Sequence, residues 1–457
     1  MEDMGRIFTT LVFVFLICKT TAQTTYVPDD NFEQALIDLG YDSPPLDNFV
    51  LTANIENVVM LNLNGAGIND LTGIEGFDAL EILYCNDNNL LSINVGQNIN
   101  LLELFVNLNN LTELDVANNG ALRKLSCNFN NLLSLDMTQN PDLRYLACTE
   151  NNLSSLDVTN NALLEELYII NNEITAIDFS QNVELISILL SQNQLNELDV
   201  SHNSKLEILG CDFNSLSSLD ISQNLNLERM SCTGNEINVL DISLNNNLQY
   251  LDFNSNNLLA IDVSNNPNLI SLRCGSNQIS SLNVSQNTML QYLVTDYGVL
   301  EQLDVSLNPN LKQLSCRGNQ LESLNVKNGN NTNFQYFNAL ENPSLTCIEV
   351  DDVTYSEANW PDVDPQAEFS EDCNPLGIVD KEIDIVTIYP NPFSDEIYME
   401  TDQTFSSIEI RNVLGVIVYR SNAIVNSINL TGLSQGVYIL KVTFKNRTSL
   451  VTRIIKN

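Results

Sequence analysis

Aspartate recurs every 21 residues along the middle of this 457-residue chain, and its carboxylates are the side chains best suited to bind a cation. The column consists of Asp115, Asp136, Asp157, Asp178, Asp199, Asp220, Asp241, Asp262 and Asp304, and Asn94, Asn283 and Asn325 complete the series. Like charges stacked one repeat apart repel one another. Two explanations stay open. Either bound calcium screens the carboxylates, or hydrogen bonds from hydroxyls such as that of Ser201 and from backbone amides outweigh the repulsion.

Cysteine is the second reactive residue type, and most of it also follows the 21-residue period. One repeat position holds Cys85, Cys127, Cys148, Cys211, Cys232, Cys274 and Cys316, and in other repeats it holds Val106, Ile169, Leu190, Phe253 or Thr295. A position shared with aliphatic residues is an apolar packing position. We therefore expect reduced thiols in a core, although Cys127 with Cys148 and Cys211 with Cys232 are near enough to bridge.

Cys347 and Cys373 lie outside this column, 26 residues apart. In an exported protein such a pair is expected to form a disulfide. The alternative is a pair of free thiols.

Catalytic constellations are nearly absent from the sequence. The single histidine, His202, stands where other repeats have Gln or Asn, so no histidine-based triad or multi-histidine metal site can be assembled. There is no phosphate-binding loop, and carboxylate pairs arise simply because the repeat is duplicated. We predict that the protein is not an enzyme.

The repeated residues described above belong to a 21-residue unit that is marked by leucine. Starting at Leu83, the same register returns at Leu104, Leu125, Leu146, Leu167, Ile188, Leu209, Met230, Leu251, Leu272, Leu293 and Leu314 without an insertion. A period of this length is typical of a solenoid. Each unit reads LxxLxCxxNxLxxLDVSxN, and its two halves each alternate inward and outward residues at period two. We expect two short extended segments per coil, almost no helix, and a rod or shallow arc roughly 60 Å long at about 4.8 Å per coil.

Two asparagine columns run through the repeats. The first is Asn88, Asn109, Asn130, Asn151, Asn172, Asn193, Asn214, Asn235, Asn256, Asn277 and Asn319, with only Gly298 departing, and the second runs from Asn98 to Asn308. A carboxamide both donates and accepts hydrogen bonds, so it can satisfy turn backbone that no strand reaches. We predict a structural role for both columns.

These residues resemble the leucine-rich repeat family, in particular its nested 21-residue subtype. The resemblance spans about Leu80 to Leu345 and implies a mainly β, right-handed solenoid with two short parallel β-ladders that is used mainly for binding.

The segments around the solenoid have different compositions. Residues 1–22 contain an apolar run, Ile7 to Cys18, and a small-residue site at Thr20-Thr21-Ala22, which is typical of a secretory signal peptide. We assign 23–79 to an N-terminal cap, with a helix starting at Pro28-Asp29-Asp30, and a degenerate first repeat around Leu61. Residues 80–345 form the solenoid, 346–375 a C-terminal cap with the disulfide, and 376–384 a linker. No other segment is a transmembrane candidate.

The last domain, 385–457, reads as seven short alternating strands, which favours a small immunoglobulin-like β-sandwich. The motifs around Tyr389-Pro390-Asn391-Pro392, Asn412 to Gly415, Leu433 to Val442 and the terminal Lys456 resemble the C-terminal sorting domain of type IX secretion. On that resemblance the sorting residues are Pro390, Pro392, Gly415, Gly436, Tyr438 and Lys456. It implies partnership with the type IX machinery and a location in the medium or on the outer-membrane surface. The alternative is an ordinary immunoglobulin-like ligand domain.

The net charge of the chain excludes some classes of partner, and the variation among repeats indicates where a ligand binds. With 58 acidic and 19 basic residues the net charge is −39, which argues against nucleic acid and anionic membranes as partners. The outward positions of the first strand vary and are rich in aromatic residues, whereas the second strand is uniform. We therefore expect a protein or glycan ligand on a face containing Tyr84, Phe105, Tyr145, Tyr168, Arg229, Tyr250, Arg273 and Tyr292. The alternative function is a structural surface or matrix protein stabilised by calcium. No other cofactor is expected.

Overall fold

A buried leucine at the centre of each three-residue strand stacks the coils of this protein. The computed structural model describes residues 23–373, 387–400, 405–422, 427–445 and 449–457. The expected signal peptide and linker lie outside the described residues. In strands such as Tyr145–Ala147, the central Leu146 is buried and pairs with the leucines 21 residues before and after it, all in parallel.

The N-terminal cap closes the first coil. It contains strand β1 (Thr24–Tyr26), helix α1 (Asp30–Asp38), strand β2 (Phe49–Leu51), antiparallel to β1, and helix α2 (Thr52–Ile55). As predicted, α1 begins beside Asp29, whose Oδ1 accepts hydrogen bonds from the amides of Asn31 and Phe32. The other oxygen accepts from the amides of Asn69 and Asp70, 40 and 41 residues later. Asp29 therefore ties the cap helix to the first coil.

The coils follow one another through short strands. Their bounds are β3 (Met60–Asn62), β4 (Ile82–Tyr84), β5 (Glu103–Phe105), β6 (Lys124–Ser126), β7 (Tyr145–Ala147), β8 (Glu166–Tyr168), β9 (Ser187–Leu189), β10 (Ile208–Gly210), β11 (Arg229–Ser231), β12 (Tyr250–Asp252), β13 (Ser271–Arg273), β14 (Tyr292–Val294), β15 (Gln302–Asp304), β16 (Gln313–Ser315), β17 (Ser323–Asn325), β18 (Tyr336–Asn338), β19 (Cys347–Glu349) and β20 (Glu368–Ser370). Single 3₁₀ turns span Ile74–Gly76 and Asn331–Asn333. We number the coils 1 to 12 from Leu80, Leu101 and so on to Leu311.

Fourteen of these strands form one parallel sheet, which runs in chain order from β3 to β14 and continues through β16 to β18. The second ladder is continuous only at the C-terminal end, where β15, β17, β19 and β20 form a four-stranded sheet. Earlier coils have isolated bridges there, such as Asp199 with Asp220.

The second asparagine column links the coils on the side that lacks a backbone ladder. Asn119 Nδ2 donates to the carbonyl oxygens of Val95 (3.1 Å) and Asn98 (2.8 Å) in the preceding coil. The other members, from Asn98 to Asn308, make equivalent bonds and are fully buried. This supports the predicted structural role.

The first asparagine column hydrogen-bonds the turns that follow the strands of the large sheet to the backbone of the preceding coil. Asn109 Nδ2 donates to the Cys85 carbonyl in the preceding coil (2.9 Å), and its Oδ1 accepts from the Leu90 amide (3.1 Å). The pattern repeats in every coil that has the asparagine. At Gly298, which lacks it, a cavity of about 10 Å³ remains, lined by Cys274, Asn277, Ile279, Thr295, Gly298 and Leu300.

The seven cysteines of the repeats are free and buried, as predicted. Burial raises the pKa of Cys127 to about 12, and burial together with the neighbouring Cys127 raises the pKa of Cys148 further. Both side chains are therefore neutral thiols at physiological pH, and they contribute to the core as small apolar groups.

The C-terminal cap contains helix α3 (Val353–Asn359), which the sequence did not predict, and the predicted disulfide between Cys347 and Cys373. Trp360 is buried, and its ring stacks on Phe337 at 4.3 Å. Asp351 accepts hydrogen bonds from the amides of Gly329 and Asn331, where the repeat breaks. The cap thus covers the open end of the core with an aromatic cluster.

The last domain has the seven predicted strands in two antiparallel sheets. Strands β21 (Thr387–Tyr389), β22 (Glu396–Glu400) and β25 (Ser427–Asn429) form the first, and β24 (Ile417–Ser421), β23 (Phe405–Asn412), β26 (Gly436–Phe444) and β27 (Ser449–Lys456) form the second. Alternate residues of both sheets, including Ile397, Ile410 and Leu440, are buried in a separate core. This arrangement agrees with a small immunoglobulin-like sandwich.

Candidate functional site: the face of the large sheet

The outward residues of the large sheet form the surface that we call the strand face: the first and third residues of each of its strands. The central residue of each strand points into the core, so its two neighbours point outward. All eight predicted ligand-binding residues, from Tyr84 to Tyr292, occupy such positions. Consecutive strands are hydrogen-bonded in register, so these side chains form two columns that run along the solenoid.

Four of the predicted residues form two aromatic pairs in neighbouring coils. The rings of Tyr84 and Phe105 are stacked, with centroids 4.9 Å apart and planes at 12°. Tyr145 and Tyr168 meet edge to face, with centroids 5.6 Å apart. All four side chains are half-buried because each ring shields its neighbour. Such pairing holds the rings in fixed positions and leaves their edges available to a partner.

A cation–π pair forms the third contact on the strand face. The guanidinium carbon of Arg229 lies 4.0 Å from the centroid of the Tyr250 ring. Arg273 is exposed and Tyr292 is half-buried, and the structure does not bring these two residues into a ring contact with the others. The strand face therefore carries three separate pairs and two further side chains rather than one compact site.

Two tyrosine hydroxyls on this face, those of Tyr145 and Tyr168, have a raised pKa. Burial and a 2.5 Å hydrogen bond to Glu166 raise the pKa of Tyr168 to about 12. Burial and the charge of Glu166 also raise the pKa of Tyr145. Both hydroxyls can therefore take part in hydrogen bonds to a ligand, but they are poor acids.

The aspartate column lies outside the strand face and is engaged in turn hydrogen bonds. In each of its nine members Oδ1 accepts from the backbone amide two residues later, as from Ser201 to Asp199 at 2.9 Å. Hydrogen bonds from Thr159, chiefly from its hydroxyl, lower the pKa of Asp157 although Asp136 and Asp178 are near. If repulsion dominated, this pKa would rise. Local hydrogen bonds therefore outweigh the repulsion between stacked carboxylates.

Within residues 23–373 and the described parts of the last domain, no group of three or more His, Cys, Asp and Glu side chains is placed to hold a metal ion. His202 is exposed, and its Nδ1 lies 3.2 Å from the Ser201 hydroxyl.

A third polar ladder, beside the strand face, was not predicted from the sequence. Asn86 Oδ1 accepts from the Asn107 amide (2.9 Å), and Asn107 Oδ1 accepts from the Asn128 amide (2.7 Å) and the Ser126 hydroxyl (2.7 Å). Further along, Asp212 accepts from the Thr233 amide in the same way. Because this position holds Asn, Thr, Ser, Asp, Arg, Ile or Gly in different coils, no single residue type marks it in the sequence.

A second unpredicted feature is the residue that follows this ladder in each coil, which we call the corner column. It consists of Asp87, Leu108, Phe129, Glu150, Asn171, Gln192, Phe213, Gly234, Ser255, Ser276, Tyr297 and Gly318. Every member has a positive φ, between 52° and 68°. This left-handed conformation usually selects glycine, asparagine or aspartate. Few residues of the corner column are of these types, so its left-handed conformation could not be predicted from the sequence.

The sorting residues predicted in the last domain occupy turns and the final strand. Pro390 and Pro392 flank Asn391, whose side chain bonds to the Arg453 carbonyl (2.9 Å) and the Ile455 amide (2.8 Å) of β27. Asn391 therefore fixes this proline segment against the last strand.

The remaining sorting residues have similar local roles. Gly415, at φ 74°, closes the turn between β23 and β24, while Gly436 begins β26. The Tyr438 hydroxyl donates to the Ser434 carbonyl at 2.8 Å. Lys456 is buried, contacts the carbonyl of Ser394, and lies 5.4 Å from the Phe393 ring centroid.

Comparison with known proteins gives two results. Residues 387–457 match the family described as "Secretion system C-terminal sorting domain". Among curated proteins, none matches the chain.

Solved structures resemble the chain over most of its length. The functional domain of InlJ from Listeria monocytogenes, which includes a cysteine ladder, is 26% identical with a TM-score of 0.68, and the match covers 95% of this chain and 99% of that one. A leucine-rich repeat protein of Leptospira interrogans is 23% identical, with a TM-score of 0.61 and coverages of 70% and 85%. The internalin InlF of L. monocytogenes is 20% identical, with a TM-score of 0.62 and coverages of 69% and 96%.

The sorting domain implies export by the type IX route to the cell surface or the medium. Over the described part of the chain, no helix combines the length and the apolar character that crossing a membrane requires. The fold, the 21-residue period and the matched domain together confirm both resemblances seen in the sequence. The chain is a leucine-rich repeat solenoid protein that carries a secretion-system C-terminal sorting domain.

Proposed function

We propose that the strand face binds a protein or glycan ligand, and that the exported protein acts in adhesion or recognition outside the cell. The observation that carries the proposal is the set of paired side chains on this face: Tyr84 with Phe105, Tyr145 with Tyr168, and Arg229 with Tyr250. Aromatic and arginine side chains dominate binding energy at interfaces. Their mutual contacts restrict them before any partner arrives, so little further side-chain entropy is lost on binding.

The contrast between the two sides of the coil supports the same proposal. The aspartate column repeats one residue type because each carboxylate closes the same turn. The strand face has no such uniform internal partner, and its residues differ from coil to coil. A surface freed from an internal role can vary to fit a ligand.

Binding is also favoured over catalysis as the role of this face. Burial raises the pKa of the Tyr145 and Tyr168 hydroxyls, so both are poor general acids. The single imidazole, on His202, is hydrogen-bonded in a loop away from the strands. The alternative function, a calcium-stabilised structural protein, depends on carboxylates that already accept turn hydrogen bonds.

The decisive experiment replaces Tyr145, Tyr168, Tyr250 and Tyr292 together with alanine in the full chain. Binding is measured on a glycan array and on a panel of immobilised surface proteins, and thermal unfolding is measured in parallel. The matched control replaces four exposed apolar residues outside the strand face, Leu91, Leu133, Leu225 and Leu307, with serine. We expect the tyrosine variant to stay folded and lose capture and the control to keep it. Equal capture by both variants would contradict the proposal.

A further inference from the structure

The outward residues of coil 8 on the aspartate side are covered, whereas their equivalents in coils 1 to 7 are not. Asn238, Val239 and Asp241 are half-buried, and the same three positions are exposed in each preceding coil. The Asp241 carboxylate accepts the same turn hydrogen bond as elsewhere in its column, from the Ser243 amide at 2.9 Å. The burial therefore comes from a surface outside the solenoid and not from a change in the coil itself.

The covering surface belongs to the sorting domain. Arg453 Nη1 lies 3.8 Å from Asp241 Oδ1. In the turn between β23 and β24, Gly415 approaches Asn238 so closely that a Cβ atom would lie 2.7 Å from Asn238 Oδ1. Glycine suits this turn, because its φ of 74° and the close approach both disfavour a side chain. The sorting domain therefore contacts coil 8 through one ion pair and one closely fitted turn.

The sheet surface that meets the solenoid is both apolar and basic. We call it the docking face: the side of the sheet β24-β23-β26-β27 that points away from the sandwich core. On β26, Val437, Ile439 and Lys441 point to this side and alternate with buried residues. Arg411 and Arg453 are the cross-strand neighbours of Ile439. A cavity of about 340 Å³ remains between the two surfaces, so the contact can open without disrupting either core.

The two surfaces have complementary charges. Residues 387–457 contain seven basic and five acidic side chains, whereas residues 1–386 contain 12 basic and 53 acidic ones. The docking face surrounds the carboxylate of Glu409 with four basic side chains, those of Arg411, Arg420, Lys441 and Arg453. Two of the four pair with Glu409, so the docking face keeps a net positive charge. Asp241 and Asp262 of the aspartate column border the same cavity from the solenoid side. Opposite charges therefore face each other across the contact.

The length of the chain permits this contact. The stretch from Cys373 to Thr387 can reach about 50 Å when fully extended. Coil 8 lies about six coils, or roughly 30 Å, before the cap strand β20. The sorting domain can therefore reach coil 8 of its own solenoid.

We propose that coils 8 and 9 form a docking site for the sorting domain of the same chain, and that the contact acts as a latch on export. The turn against Asn238 contains Gly415, one of the predicted sorting residues. While the docking face is bound, this turn is covered, and the type IX machinery can hold it only after the contact opens. The contact lies on the aspartate side, so the proposal is independent of ligand binding on the strand face.

Carboxylate footprinting tests the contact on the full chain. Carbodiimide-driven coupling of glycine ethyl ester, quantified by peptide mass spectrometry, reports the exposure of each aspartate in the column. We expect Asp241 to react several-fold more slowly than Asp199, which makes the same turn hydrogen bond in a coil without the contact. Arg453→Glu should raise the rate at Asp241 to that of Asp199, and Arg453→Lys should not. Equal rates at the two aspartates in the wild type would overturn the proposal.

A substitution on the solenoid opens the contact without altering the sorting domain. Val239→Arg places a cation against the docking face, and Ser218→Arg, at the equivalent exposed position of coil 7, is its matched control. Small-angle X-ray scattering should show a larger radius of gyration for Val239→Arg than for the control, and added salt should enlarge that of the wild type. In a host with type IX machinery, Val239→Arg should be exported at least as fast as Ser218→Arg.

Three further results would refute the proposal. An unchanged radius of gyration for Val239→Arg would show that the sorting domain is not docked. Protection of Asp241 in a dimer but not in the isolated monomer would assign the docking site to a second copy of the chain. Slower export of Val239→Arg than of its control would exclude a latch. None of these measurements involves ligand capture, so the proposed function of the strand face stands or fails separately.

Discussion

The side chain of Asn151 bonds to the carbonyl oxygen of Cys127, 24 residues earlier, at 3.0 Å. Its Nδ2 also reaches the Cys148 carbonyl in its own coil, and its Oδ1 accepts from the Leu132 amide in the preceding coil. With a further bond to the Thr149 carbonyl, one buried carboxamide joins two coils at four backbone groups.

Replacing Asn151 with alanine should lower the free energy of unfolding by about 2–4 kcal/mol, because it leaves the Leu132 amide and the Cys127 carbonyl without that partner. Chemical denaturation measures the change. Asn152→Ala, at the exposed neighbouring position, is the control and should change stability by less than about 0.5 kcal/mol. Equal effects of the two substitutions would show that the column is not structural.

The disulfide between Cys347 and Cys373 should stabilise the C-terminal cap. It closes a loop of 26 residues, for which chain entropy gives about 3–4 kcal/mol. We expect Cys347→Ser/Cys373→Ser to lower the melting temperature and to expose Trp360, seen as a red shift of its fluorescence. Reducing agent should act on the wild-type protein and leave the variant unchanged. An unaltered melting temperature in both experiments would contradict this role.

The thiols of Cys127 and Cys148 should be inert in the folded protein. Burial raises the pKa of both thiols, to about 12 for Cys127, so at pH 8 almost no thiolate forms and no reagent reaches the sulfur. Alkylation with iodoacetamide at pH 8 and peptide mass spectrometry should find both residues unlabelled before denaturation and labelled after it. Labelling of the native protein, or a Cys127–Cys148 disulfide, would disprove a reduced, closed core.

The aspartate column should stabilise the protein above about pH 4 and lose this effect in acid. Turn hydrogen bonds, chiefly from the threonine hydroxyls, lower the folded pKa of Asp136 and Asp157 below the ordinary value of an aspartate. The stability they contribute is therefore present above the unfolded pKa and disappears as the pH falls through the folded pKa. Melting temperatures of the wild type and Asp136→Ala/Asp157→Ala should differ at pH 7 and converge near pH 2.

The same column allows a direct test of calcium dependence. Since each carboxylate already accepts hydrogen bonds, we expect a chelator to leave the melting temperature unchanged and added calcium to raise it by no more than the general effect of ionic strength. A matched titration with sodium chloride at equal ionic strength is the control. A calcium-specific rise that Asp136→Ala/Asp157→Ala removes would favour the structural, calcium-stabilised alternative.

Sequence periodicity predicted much of the fold because every repeat obeys the same local rule. Leu146 and Asn151 sit at fixed spacing in a unit without insertions, so the in-register stack, the solenoid and the inward cysteines could all be predicted. The helix start at Asp29 and the Cys347–Cys373 bond followed from local residue preferences. Helix α3 was missed because its seven residues, from Val353 to Asn359, are too few for a clear helical pattern.

The sequence by itself determined which side chains face the core and which face outward, since a period of two within a period of 21 fixes both. Only the tertiary structure decided what the outward side chains touch. It pairs Tyr145 with Tyr168, and it covers Gly234 with Phe213 while leaving Phe129 open. It also makes the second ladder continuous only from Gln302 onward, with isolated bridges in earlier coils. These relations depend on distances between coils and on backbone conformation at each corner, and residue spacing along the chain does not specify either.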